Sequence, residues 1–116
     1  METAPVILNL GTARAACRGN PALIHALTEQ YRASLPAERA ALAQAGTATP
    51  PDWETVRVQA HRLQSGSAYL GAERVAAAAR QLEDAILARD SATVLIQAQG
   101  TLDAALQEFF NTPITA

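Results

Sequence analysis

Apolar and small residues return along this chain at steps of three and four, the period of a helix face turned toward a core. The pattern is sharpest at Trp53, Val56, Ala60, Leu63, Ser67 and Leu70. Pro51 and Asp52 open that stretch, Asp52 and Glu54 suit the positive end of a helix, and Gly71 ends or bends it. An earlier helix begins at Asn20 as cap and Pro21 as first residue. Its expected inward set is Leu23, Leu27, Tyr31, Leu35, Glu38 and Leu42, and Pro36 predicts a kinked continuation that ends near Ala45 and Gly46. Residues 72–88 form a further helix, with Val75, Ala79, Leu82 and Ile86 inward and Glu83 and Asp84 on a solvated face. Asp90 and Ser91 make a turn and cap. Residues 93–110 form the last helix, with Val94, Ala98, Leu102, Ala105, Leu106 and Phe109 inward. Four substantial helices with short connections predict an all-α, up-down-up-down four-helix bundle. The chain reads as one domain over residues 1–116, with residues 1–5 and 111–116 as frayed tails.

Composition sharpens that picture. Hydrophobic residues make up 49% of the chain and aromatic residues only 4%, and alanine dominates the remainder. This favours closely packed helices over strands, which need β-branched and aromatic runs. The net charge is −2 and every basic side chain is an arginine, so the chain lacks the basic surplus of a non-specific nucleic-acid binder. No apolar run approaches the ~20 residues of a membrane span, and the opening residues lack the order of a signal peptide. Cys17 is alone and no Cys/His cluster points to a metal, so no cofactor or metal is expected and a reducing cytoplasm is the expected setting.

The candidate chemistry lies at His61. It follows Ala60 of the buried stripe by one position, about 100° around the helix, which sets its imidazole at the edge of the buried face. Arg57, Gln64, Ser65 and Ala68 share its strip at offsets of −4, +3, +4 and +7. A neutral imidazole, with an ordinary pKa near 6.5, is a good nucleophile near neutral pH. Taken alone, such a histidine is more often an ordinary surface residue. Other residues offer less. His25 has no cysteine or second histidine near it with which to form a ligand set, Ser65 and Ser67 lack a nucleophile elbow, and Glu83 and Asp84 do not pair for acid–base catalysis. Gly66, nearer the stripe, is expected to pack against a neighbouring helix.

Residues 60–72, Ala-His-Arg-Leu-Gln-Ser-Gly-Ser-Ala-Tyr-Leu-Gly-Ala, resemble the signature of histidine-containing phosphotransfer (HPt) domains, in which Ala60, His61, Leu63, Leu70, Gly71 and Ala72 match in register. The resemblance extends to the Gly-Asn-Pro at residues 19–21 and to Gln81, Leu82 and Glu83. It implies a short lid helix over the bundle, for which residues 12–18 are the candidate. It also implies that His61 accepts and donates a phosphoryl group in exchange with the aspartate of a response-regulator receiver domain. In that relation the receiver supplies the metal ion and aspartate, and this chain supplies the nucleophile and a docking surface. The chain is then a phosphocarrier of a bacterial-type phosphorelay and no enzyme by itself, free-standing or cut from a hybrid sensor kinase, and a monomer.

Two positions depart from the family pattern. Gln64 stands where the family has a lysine beside the phosphoryl group, and Ser65 where it has a glycine. Gln64 can donate a neutral hydrogen bond, Arg57 is the favoured cation with Arg62 as its rival, and Ser65 either crowds a docking partner slightly or donates to phosphate. Ala68, Tyr69 and Leu70 are the candidate docking surface. The rival readings are an interaction module that has lost phosphotransfer and a purely structural bundle.

Overall fold

The computed structural model describes residues 4–113, so residues 1–3 and 114–116 of the expected tails lie outside it. Among the described residues all regular structure is helical: α1 (Leu10–Ala16), α2 (Pro21–Gly46), α3 (Trp53–Leu70), α4 (Glu73–Leu87) and α5 (Ala92–Asn111). Helix α2 packs on α3 and α5, α4 packs on the same two, and α1 lies against α3 and the start of α2.

Local chemistry sets the helix starts. The first amides of a helix lack intrahelical partners, and short polar side chains supply them. Asn20 Oδ1 accepts from the amides of Ala22 (3.0 Å) and Leu23 (3.2 Å), and Pro21 occupies the first position, where no amide is needed. Asp52 caps α3 through the Thr55 amide at 3.1 Å and the Thr55 hydroxyl at 2.7 Å. Ser91 caps α5 through the Val94 amide. Helix α2 continues through Pro36 to Gly46 as one element.

The turn between α3 and α4 positions the site. Gly71 adopts φ +95°, the left-handed conformation that closes a helix, and its neighbours leave no room for a side chain. A Cβ there would lie 2.6 Å from the Asn9 carbonyl oxygen. The segment before α1 straps this turn. The Asn9 amide donates to Gly71 O at 2.7 Å, Asn9 Nδ2 to Glu73 Oε2 at 2.9 Å, and the Arg74 amide to Val6 O at 3.0 Å. The strap holds the register in which α4 runs back along α3.

The core follows the α3 stripe. Val56, Ala60, Leu63, Ser67 and Leu70 are buried as expected, and Trp53 is half-buried against the same cluster. They meet Val75, Ala78, Ala79 and Leu82 of α4, Leu35 and Leu42 of α2, and Leu102, Leu106 and Phe109 of α5. Ala60 and Ala79 are fully buried, and such small residues let helix axes approach closely. The buried polar side chains Thr28, Gln59 and Ser67 are paired, and Arg32 Nε is left without a partner among the described residues. Tyr31 Oη and Ser67 Oγ lie 2.6 Å apart, with the Tyr31 ring edge-on to Phe109, and Gln59 Nε2 donates to Glu38 Oε2 at 2.7 Å.

The helix phase departs from expectation at two starts. Leu23 is 42% exposed, and Ile24 and Thr28 are buried in its place. The cause is α1: its Ala13 and the Cys17 that caps it form a second small cluster with Ile24, which rotates the covered face of early α2 by one position. On α5, Val94 is 41% exposed and Leu95 takes the buried position, one residue on from the expected set.

Candidate functional site

His61 stands on the outer edge of α3 with 60% of its side chain exposed. Its Nδ1 lies 3.1 Å from Oε1 of Glu83 on α4. Glu83 was expected on a solvated face; its side chain is only 13% exposed, because the strapped turn brings that part of α4 against α3. A carboxylate can only accept, so in the neutral ring this contact calls for the proton on Nδ1 and leaves the lone pair on Nε2. The signal was present in the sequence as symmetry about the turn. His61 precedes Ala72 by as many positions as Glu83 follows it, and Glu83 is 22 residues from His61.

Arg57 turns to carboxylates. Its Nε donates to Glu54 at 2.9 Å, its Nη2 reaches the other Glu54 oxygen, and its Nη1 stands 3.5 Å from Glu83 Oε2. The hydrogen bonds to Glu54 raise the guanidinium pKa above its ordinary value and hold the Glu54 carboxyl below its own. The result is a line of alternating charge, Glu54, Arg57, Glu83, ending at the imidazole. Arg57 therefore faces the back of Glu83 and braces the carboxylate that orients His61.

The other expected residues divide. Gln64 is half-buried on the His61 strip, where it lines a shallow depression with Ala76, Ala77 and Arg80 of α4. Ser65 and Ala68 are exposed beside it. Gly66 corrects the packing expectation: it is exposed, and a Cβ there would meet nothing within 4 Å, since it faces the open groove between α2 and α3. Leu70 corrects the docking expectation, being 5% exposed and part of the core. Tyr69 is 63% exposed, with its hydroxyl donating to Ala16 O of α1 at 3.3 Å. Leu87, one turn past Glu83 on α4, is a large apolar side chain left 61% exposed, which the sequence pattern did not single out. His25 is exposed and separate from these groups. No cluster of His, Cys, Asp and Glu among the described residues could hold a metal, and no helix among them is long and apolar enough to cross a membrane.

In chemical terms the site is an accessible imidazole with one nitrogen occupied by a carboxylate and the other open to a partner. A family model described as Hpt domain matches residues 26–112. Searches of curated proteins and of solved structures gave no match.

Proposed function

We propose that this chain, which belongs to the Hpt domain family, carries a phosphoryl group on His61 Nε2 and exchanges it with the aspartate of a response-regulator receiver domain. Histidine phosphotransfer is the general role of the family. The observation that supports the particular residue is the contact between His61 Nδ1 and Glu83, which leaves Nε2 as the exposed nucleophile.

The step is a substitution at phosphorus. The Nε2 lone pair forms the N–P bond as the bond from phosphorus to the aspartyl oxygen breaks, and the carboxylate leaves with that electron pair. No proton need move, because Nδ1 keeps its hydrogen and the ring becomes a phosphoimidazolium cation. Glu83 faces that developing charge, which favours transfer to the ring, and Arg57 keeps the carboxylate from turning away. The reverse step returns the phosphoryl group to aspartate. Gln64 contributes a neutral donor beside the group, and Ser65 a hydroxyl on the docking side.

In this reading α2 to α5 run up-down-up-down, α1 serves as the lid, and the domain acts as a cytoplasmic monomer. The receiver would rest on Ala68 and Leu87 around His61, where apolar surface is open. The uncharged Gln64 favours a second reading, a module that docks receivers without accepting phosphate.

One experiment separates them. The protein is mixed with a phosphorylated receiver, and acid-labile label is followed. The parent and His25→Gln should take label, and His61→Gln should take none while keeping its helical circular dichroism. Label surviving in His61→Gln would refute the site, and an unlabelled parent that still binds the receiver would favour the module.

A further inference from the structure

We propose that Arg80, on α4, is the cation that holds the phosphoryl group of His61, filling from the neighbouring helix the role that α3 leaves to the uncharged Gln64. This rests on the reading of His61 as phosphoacceptor.

Helix register places Arg80 beside the site. His61 and Glu83 touch, and α3 and α4 run antiparallel from the Gly71 turn. Gln64 lies three residues from His61 toward the turn, and Arg80 lies three residues from Glu83 toward the same turn. The two are therefore opposite each other, one helical turn from the imidazole, and they line one depression. Its floor includes Ala76 and Ala77, whose short side chains leave the space above open. A turn is about 5.4 Å of helix, within the reach of an extended arginine side chain.

Charge and availability single out the same residue. A phosphoryl dianion on Nε2 would sit close to the Glu83 carboxylate, so it needs a nearby cation. Arg57 is held by Glu54 and stands against the far oxygen of Glu83. Arg62 follows His61 by one position, which turns it about 100° around α3, away from Gln64. Arg74 donates to Glu108 at 2.8 Å and to Pro5 O at 3.2 Å. Arg80 is 73% exposed, and its contact with Asp84 is a long 3.9 Å, too far for a hydrogen bond. Its guanidinium is free to swing to the phosphoryl oxygens, two of which its planar fork can bind together.

The test avoids the receiver, so that docking plays no part. Parent, Arg80→Gln, Arg80→Lys, Arg62→Gln and His61→Gln are treated with phosphoramidate, a small phosphodonor. Phosphohistidine is then followed by ³¹P NMR. Arg80→Gln should lower the steady occupancy of His61 by roughly threefold to tenfold, the range for a partly exposed charge-assisted contact. Arg80→Lys should keep most of it, Arg62→Gln should stay near the parent, and Gln64→Lys should restore occupancy in the Arg80→Gln background. The Arg80 Nε–H resonance should move on phosphorylation, which a merely structural side chain would not show. Parent-like occupancy in Arg80→Gln, or the loss appearing in Arg62→Gln instead, would overturn the role of Arg80 and leave that of His61 standing. A parent that carries no label at His61 would overturn both.

Discussion

Removing the Glu83 carboxylate should change which nitrogen of His61 carries the proton. In the native site Nδ1 lies 3.1 Å from Glu83 Oε1, a contact that in the neutral ring favours Nδ1–H and leaves the lone pair on Nε2. A hydrogen bond to a charged group is worth about 1.5–3 kcal/mol when shielded. Here the carboxylate is 13% exposed but the ring is 60% exposed, so solvent screening brings the value below that range. We take about 1 kcal/mol, or roughly a fivefold shift in tautomer ratio. Glu83→Ala should then redistribute the ring toward Nε2–H, which has no lone pair for phosphorus, and slow phosphoryl uptake by about the same factor. Glu83→Gln keeps an acceptor but loses the charge that faces the phosphoimidazolium, and should fall between. Nitrogen-15 spectra of the imidazole read the tautomer directly, and phosphotransfer kinetics read the consequence. An unchanged tautomer ratio in Glu83→Ala would refute the orienting role, and so would uptake as fast as in the parent.

Four further outcomes follow from the packing. Leu63→Ala removes a side chain that is 7% exposed in the main core and should cost about 2–5 kcal/mol by denaturant unfolding. Tyr31→Phe leaves the fully buried Ser67 hydroxyl without its partner and should cost about 1–3 kcal/mol, much of which Ser67→Ala should recover. Burial pushes the Tyr31 phenol up to about 12, against which the hydrogen bond to Ser67 works. Because the folded state holds this proton more tightly than the unfolded chain, stability is unaffected by the group below its ordinary value near 10. It should fall by about 2–3 kcal/mol as pH rises from 10 to 12. Tyr31→Phe should lack that alkaline loss in a pH series of melting temperatures. Gly71→Ala must place a Cβ 2.6 Å from Asn9 O at φ +95°, so it should destabilise by about 1–3 kcal/mol and loosen the strap, seen as lower Tm and an altered His61 tautomer signal.

The helices and the exposure of His61 are legible in the order of residues alone, because both are local. A period of three and four defines the buried face of α3, and a residue one step off it must stand at the edge. Asn20, Asp52, Ser91 and Gly71 set helix ends through bonds and backbone angles that span only a few residues. The tertiary structure decided which faces meet. Ile24 replaced Leu23 in the interior because α1 lies on one side of early α2, a fact no pattern within α2 contains. Gly66 went to the surface because α2 stands back from α3 there and leaves an open groove. Glu83 looked like one more solvated carboxylate until the turn at Gly71, held by Asn9, returned α4 along α3 and set it against His61. Helix periodicity says which residues share a face, but only the register between two helices says which side chains touch. That register rests on a left-handed glycine and a strap from residues far away in the chain.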